Sequence, residues 1–179
     1  MRKLFFVFTF FPLLLSSQTI NHWETAVFDN DIWKYLEGTY EPDTNWRKLS
    51  FNDASWLQGE GGVGYGDGDD STIISAVSSL YLRKTFTIVD TSDILASILN
   101  VDYDDAFVAY LNNVEIARAN IGTVGDHPLY NQGSSAQHEA QMYQGGNPSQ
   151  FLINTQVLKD NIVPGNNVLS VQVHNANLT

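Results

Sequence analysis

Two short apolar runs joined by a pair of asparagines constrain the fold of this chain most. Residues 106–117, AFVAYLNNVEIA, place Asn112-Asn113 between the runs, and asparagine tolerates the left-handed backbone that a tight hairpin turn requires. Residues 80–89, LYLRKTFTIV, alternate apolar side chains on one face with Arg83 and two threonines on the other. A period of two is typical of strands, so both segments predict antiparallel β-structure.

The remaining apolar stretches are equally short and are bounded by Gly, Asn, Asp or Pro. Residues 164–167 predict a turn, after which Leu169, Val171 and Val173 form an inward-facing row. Only residues 155–160 predict a helical turn. Many short strands without alternating helices predict an all-β fold, an antiparallel β-sandwich or jelly roll.

Residues 1–18 are predicted to be a secretory signal peptide. Arg2 and Lys3 precede the apolar run 4–15, and small and polar residues follow it. The run is too short for a membrane-spanning helix, which needs about twenty residues. We therefore expect an exported protein, secreted or held at the cell surface, with a single β-sandwich domain in residues 19–179.

The mature chain would be strongly acidic. Two of the nine basic residues lie in the leader, which leaves seven basic and twenty acidic side chains and a net charge of −13. Nucleic acid and anionic lipid bind through lysine and arginine, so neither is an expected partner. Neutral sugars and cations remain compatible with this surface. Because the chain has no cysteine, no disulfide contributes to its stability.

Glycine is concentrated in residues 59–70, GEGGVGYGDGDD. The pattern G-x-G-x-x-G is satisfied, but aspartates follow where a nucleotide site needs a helix N-terminus, so phosphate binding is excluded. Carboxylate and hydroxyl oxygens are ligands that calcium prefers, and the segment offers four candidates for a structural calcium site: Asp67, Asp69, Asp70 and Ser71. Their spacing does not match an EF-hand. The alternative is a tight glycine turn with solvated aspartates.

A second acidic cluster and a long connection are further candidate sites. Asp102, Asp104 and Asp105 are predicted at a turn between strands, where they either cap backbone groups or bind a metal or sugar hydroxyls. Residues 122–150 are mostly small and polar. A compact domain rarely keeps so long a connection, which is either a binding loop or a mobile one.

Catalytic signatures are scarce. The sequence contains no G-x-S-x-G, no H-E-x-x-H and no cysteine nucleophile, and its four histidines show no ligand spacing. Nothing singles out a carboxylate pair of the kind a glycosidase needs. Exposed tryptophans would stack on sugar rings, whereas Trp33 and Trp46 lie in strand-like stretches and are expected in the core.

The order of these segments resembles a galactose-binding-domain-like jelly-roll module over residues 33–175. The segments that carry the likeness are IWKYLEGTYEPDTNW, FNDASW, GEGGVGYGDGDD, LYLRKTF, VDYDDAFVAYLNNVEIARAN and PGNNVLSVQVHN. Such modules occur in large secreted bacterial proteins, beside lamin-tail, spore-coat-kinase-like or hydrolase domains. The chain departs from the family pattern in two respects. Its hairpin turn is Asn112-Asn113, where the family usually has Asn-Gly. The family pattern also usually continues past VHN into further sequence.

The resemblance implies a non-catalytic β-sandwich whose end loops bind carbohydrate or calcium in some relatives. It implies a ligand-binding set of four residues: Asp104, Asp105, Arg118 and Asn120. It also implies that the domain is truncated at its C-terminal end and that further domains follow in the same polypeptide.

We therefore expect an accessory module of a secreted protein that binds carbohydrate or positions a neighbouring catalytic domain. A purely structural or adhesive spacer is the alternative, and a glycoside hydrolase is a third hypothesis. Carbohydrate and the downstream domains are the expected partners. A resemblance at the level of the fold does not identify the ligand.

Overall fold

The structure, a computed structural model, describes residues 22–66, 68 and 70–176. Its strands are β1 (Ile32–Glu37), β2 (Leu57–Glu60), β3 (Val63–Gly64), β4 (Thr72–Ile73), β5 (Ser79–Ile88), β6 (Ile98–Val101), β7 (Ala106–Leu111), β8 (Val114–Ala119), β9 (Ser149–Leu152) and β10 (Gly165–His174). The helix α1 spans Thr155–Asn161, where the helical turn was predicted, and a 3₁₀ turn spans Met142–Gln144. The predicted signal peptide lies outside the described residues.

Six strands form the main sheet, in the order β2-β1-β5-β10-β7-β8, and every neighbouring pair is antiparallel. The predicted all-β antiparallel fold is therefore confirmed. The last strand, β10, lies between β5 and β7, and its register with β5 runs from Gly165 opposite Ile88 to His174 opposite Ser79. Residues from the end of the described chain thus hold the centre of the sheet.

A smaller second layer lies over one face of this sheet and makes the fold a sandwich. In it β6 pairs antiparallel with β9, and α1 contacts β8. In the glycine-rich segment β3 and β4 form a separate parallel pair. Among the described residues, no helix is both long and apolar enough to span a membrane.

One face of the main sheet, here called the aromatic face, packs around Trp46. Its ring stacks on Trp56 at a centroid distance of 6.2 Å and meets Tyr81 and Tyr110 edge-on at 5.1 and 5.9 Å. All four side chains are buried, and such pairs contribute about 1 kcal/mol each beyond the area they bury. The prediction that Trp46 is a core residue is confirmed, whereas Trp33 is only half-buried.

Arg83 fastens the segment that carries Trp46 onto the aromatic face. Its Nε donates to Asp53 Oδ2 at 2.8 Å, and its NH1 group donates to the carbonyl oxygens of Trp46 and Lys48. Alternation had placed Arg83 on the polar face of β5, but its side chain is buried. The face is covered there because residues from a distant part of the sequence pack across it.

The opposite face, here called the groove face, packs against the second layer. Phe151 of β9 meets Phe107 of β7 edge-on at 5.1 Å, and Val171 belongs to the same cluster. The predicted inward row is therefore confirmed at Val171. The predicted turn at residues 164–167 is wrong from Gly165 onwards, because pairing with β5 draws these residues into β10.

The asparagine hairpin forms as predicted and also joins three elements. Asn112 and Asn113 have φ angles of 49° and 81°. Asn112 Oδ1 accepts from the Val168 backbone N–H at 2.9 Å, and its Nδ2 donates to Asn167 Oδ1 and to the Asn161 carbonyl oxygen, both at 2.7 Å. Asn112 thus connects the β7–β8 turn to β10 and to the end of α1.

We expect Asn112→Ala to lower the free energy of unfolding by about 3 kcal/mol. The substitution leaves buried polar groups without hydrogen-bond partners and places alanine at a positive φ. Urea denaturation monitored by circular dichroism measures the change. Asn113→Gly is the matched control and should change stability by less than about 1 kcal/mol, since glycine accepts this φ freely. Equal losses in the two variants would contradict this role for Asn112.

Candidate functional site

The glycine-rich segment turns the chain tightly between β2 and β4. Gly62, Gly66 and Gly68 have φ angles of 79°, 111° and 86°, which other residues adopt only with strain. Gly61 has a different role, since a Cβ there would overlap the carbonyl oxygen of Asp29. Backbone freedom and close approach account for these glycines without a ligand.

The predicted calcium site is only partly within the described residues. Asp67 and Asp69 lie outside them. Asp70 packs its carboxylate against Gly64, and Ser71 lies beside Gly62, with its N and Oγ 3.6 Å from where a Cβ would stand. Within 22–66, 68 and 70–176, no three His, Cys, Asp or Glu side chains are grouped so as to hold a metal ion. Calcium binding stays a prediction.

The second acidic cluster lies in the loop between β6 and β7, where its carboxylates accept backbone hydrogen bonds from distant segments. Asp102 accepts from the N–H groups of Gln141 and Met142 at 2.8 and 2.9 Å. Asp105, at a φ of 59°, accepts from His138 N at 3.1 Å and from Ala176 N. These aspartates do cap backbone groups, but those of other segments rather than of their own turn.

Of the other predicted ligand-binding residues, Asn120 joins the acidic loop and Arg118 turns to a different one. Asn120 Nδ2 donates to the Asp105 carbonyl oxygen at 2.8 Å. Arg118 forms two 2.9 Å bonds to the Glu115 carboxylate and donates to the backbone oxygens of Ile121 and Asp126. Burial alone would raise the pKa of Glu115, but the hydrogen bonds from Arg118 and from the Gly125 N–H, together with the charge of Arg118, outweigh it and hold that pKa below its ordinary value.

Residues 122–150 follow the protein surface and are fastened at several points. Tyr130 N donates to Glu41 Oε1 at 2.6 Å, and Gln172 Nε2 donates to the Pro128 carbonyl oxygen at 3.1 Å. Tyr130 packs against the aromatic cluster. This connection therefore covers the aromatic face, a role that neither sequence hypothesis had included.

An open groove of about 2380 Å³ lies on the groove face, and sequence reasoning did not anticipate it. Apolar side chains from five parts of the chain line it. They are Leu82 of β5, Leu169 and Val173 of β10, Leu99 of β6, Trp23 of the N-terminal segment and Val63 of the glycine-rich segment. Alternation identifies the apolar side chains of β5 and β10, but only the structure shows that their cover is incomplete. Single exposed apolar residues are ordinary, whereas apolar side chains gathered in one groove make it a candidate binding site.

The two faces of β10 differ in how completely they are covered. Ser170 and His174, on the aromatic face, are fully buried. Leu169 and Val173, on the groove face, are only half-buried although β10 is an interior strand. The groove thus exposes apolar surface at the centre of the sheet.

No family model and no curated protein matches this chain. Among solved structures, a calcium-binding mutant of Bacteroides uniformis β-glucuronidase 2 is 16% identical with a TM-score of 0.50, over 86% of this chain and 15% of that one. An uncultured Clostridium sp. β-glucuronidase is 18% identical with a TM-score of 0.49, over 81% and 21%. A family 2 glycosyl hydrolase of Bacteroides cellulosilyticus DSM 14838 is 15% identical with a TM-score of 0.46, over 85% and 18%.

The likeness to the first of these structures shows a shared β-sandwich fold. This chain spans between 15% and 21% of the length of the three solved chains, which is the size of one small domain within them.

We expect Asp105→Ala to loosen residues 133–142 and to lower the free energy of unfolding by about 3 kcal/mol, since it removes charge-assisted bonds. Faster thermolysin cleavage in this stretch, mapped by mass spectrometry, measures the loosening. Asp93→Ala, at an exposed position before β6, is the control and should leave cleavage unchanged. A cleavage pattern that does not differ between the two variants would refute the anchoring role.

His174 makes stability depend on pH. Its ring is fully buried, Nδ1 lies 2.8 Å from the Gln132 carbonyl oxygen, and burial lowers its pKa to about 4. The unfolded chain, with an ordinary histidine pKa of about 6.5, binds this proton first as the pH falls. The contribution of neutral His174 is therefore complete above pH 6.5 and is lost as the pH falls towards 4.

We expect the free energy of unfolding to fall between pH 6.5 and 4 by up to about 3 kcal/mol through His174. His174→Gln should remove this part of the pH dependence, as measured by urea denaturation at several pH values. His22→Gln, which removes a histidine from the exposed N-terminal segment, is the matched control. An unchanged slope in His174→Gln would show that other groups cause the loss.

Proposed function

We propose that this chain is a non-catalytic accessory domain of a secreted multidomain protein and that it positions a neighbouring catalytic domain. The observation that carries the proposal is the extent of its likeness to a β-glucuronidase. The match covers 86% of this chain but 15% of that one, at a TM-score of 0.50. A sandwich of this size is one domain within that polypeptide. We infer that this chain is likewise one domain of a larger protein.

The hydrogen bonds of the acidic side chains support a non-catalytic, accessory role. Asp102 and Asp105 hold distant backbone groups, and Glu115 is paired with Arg118. A glycosidase needs two carboxylates on either side of a substrate bond, about 5–10 Å apart. These three carboxylates fix loops to the sandwich instead, so hydrolysis is the weakest of the three hypotheses.

Weak carbohydrate binding is a second candidate function, favoured by exposed aromatic rings along the groove. Trp23 and Phe28 line the groove and are 57% and 56% exposed. Aromatic faces offer apolar surface to sugar rings, and a net charge of about −13 does not repel neutral polysaccharides. A spacer domain does not require exposed rings along one groove.

The test uses the purified protein and a panel of neutral polysaccharides, with and without calcium. An accessory domain releases no reducing sugar from any of them, and measurable release would contradict the proposal. Retention on a polysaccharide column would support the carbohydrate role if Trp23→Ala abolishes it. Tyr40→Ala, whose ring is equally exposed at 56% but does not line the groove, is the matched control.

The positioning role is tested on the natural polypeptide. Deletion of the sandwich domain should lower the catalytic efficiency or the melting temperature of the neighbouring domain. A neighbour that is unaffected by the deletion would favour the spacer hypothesis.

A further inference from the structure

A second cavity, of about 300 Å³ and here called the lysine cavity, lies at the β2 edge of the aromatic face. Side chains from three neighbouring strands form its floor. In the register of the sheet, Lys34 of β1 lies opposite Gln58 of β2 on one side and opposite Arg83 of β5 on the other. Directly opposite residues point to the same face of a sheet. The three side chains therefore form one polar row across the floor.

A second row and one wall complete the cavity. Ile32 and Thr85 both line it, and each is two residues along its strand from Lys34 or Arg83. Alternation therefore points Ile32 and Thr85 to the same face as the polar row. The wall is Asp53, whose Oδ2 accepts from Arg83 Nε at 2.8 Å.

The polar row brings two positive charges together. Lys34 and Arg83 are like charges directly opposite each other on neighbouring strands, an arrangement that destabilises a sheet. Asp53 neutralises Arg83, whereas no described carboxylate forms an ion pair with Lys34. Lys84 also lines the cavity, but its charge is paired with Asp31 at 3.1 Å. The cavity thus keeps one uncompensated positive charge in a strongly acidic chain.

The lysine cavity also contains polar groups that are not used within the protein. Among the described residues, the side chains of Lys34, Gln58 and Thr85 form no hydrogen bond with another group. Lys34 is nevertheless half-buried, on a strand that lies between β2 and β5. A small number of polar groups that converge on a cavity is typical of a small-molecule site. The volume is at the lower end of such sites, which is the size of a small ligand.

We propose that the lysine cavity binds a small hydroxy acid, a molecule with one carboxylate and several hydroxyl groups. The carboxylate pairs with Lys34 and accepts hydrogen bonds from Gln58 and Thr85. A ligand hydroxyl donates to the Asp53 carboxylate. Because Lys34, Arg83 and Asp53 together carry one net positive charge, the cavity favours a monoanion over a dianion such as phosphate. The site lies apart from the groove, so binding there does not depend on the proposed function.

The test is an NMR titration of the isotopically labelled 179-residue protein with sodium gluconate, a linear hydroxy acid. Sorbitol, which has an alcohol in place of the carboxylate, and glucamine, which has an amine there, are the matched ligands. Gluconate alone should cause saturable shifts at the Gln58 side-chain amide and at the backbone amides of Lys34 and Thr85. Val124, which is 85% exposed elsewhere, should not shift. Sodium chloride at equal ionic strength controls for screening.

Lys34→Met tests the charge, and Lys159→Met is its matched control. Lys159 is exposed in α1, and its substitution changes the net charge by the same amount. Lys34→Met should raise the dissociation constant for gluconate about tenfold or more, because it removes the cation that pairs with the carboxylate. Lys159→Met should change this constant by less than about twofold.

Two further measurements separate ligand binding from a structural role. Without ligand, Lys34→Met should melt no lower than the unchanged protein, since it removes the like charge opposite Arg83. Gln58→Ala, at an exposed position of the edge strand β2, leaves the charge of the cavity intact. It should weaken the binding of gluconate about fivefold, through the loss of one hydrogen bond.

Several results would overturn the proposal. They are equal shifts with sodium chloride, equal affinity for sorbitol, an unchanged dissociation constant in Lys34→Met, or saturable shifts confined to residues outside the cavity. Tighter binding of inorganic phosphate than of gluconate would also overturn it, because the preference for a monoanion would be reversed. A clear loss of stability in Lys34→Met would show that Lys34 supports the fold instead of a ligand.

Discussion

The fold depends on the place of β10 at the centre of the main sheet. Hydrogen-bonded ladders join β2-β1-β5 to β7-β8 only through β10 among the described strands. These partners are distant in sequence, so chain entropy must be lost before the contacts contribute. Asn112 and Asn167 add side-chain bonds between the β7–β8 turn and β10. A change that displaces β10 would therefore separate the sheet into two halves that could not hold the sandwich together.

The two faces of this sheet differ in how completely other segments cover them. Loops seal the aromatic face, with Arg83 as a buried fastening and residues 122–150 as an outer cover. The groove face keeps half-buried apolar side chains beneath a two-stranded layer. Asp105 and Arg118, two of the predicted ligand-binding residues, hold loops through hydrogen bonds to the backbone. The groove is thus where apolar side chains of the main sheet stay partly exposed.

Local signals in the sequence predicted the elements well, and contacts between distant residues account for the errors. The hairpin, the helical turn of α1 and the core position of Trp46 followed from turn chemistry, periodicity and side-chain size. Arg83 was assigned to a polar face because alternation cannot show that another segment covers that face. The role of Asp102, which binds the backbone at Gln141 and Met142, depends on a loop that only folding brings near.

The sequence by itself determined the all-β class and the positions of the main strands, because a period of two and the turn-forming asparagines act within a few residues. It also determined the acidic composition that disfavours nucleic acid and anionic lipid. The tertiary structure alone decided which strand lies at the centre, which aspartates serve as anchors and where apolar surface stays open. Those outcomes depend on the register and packing of segments far apart in the chain, which no local pattern encodes.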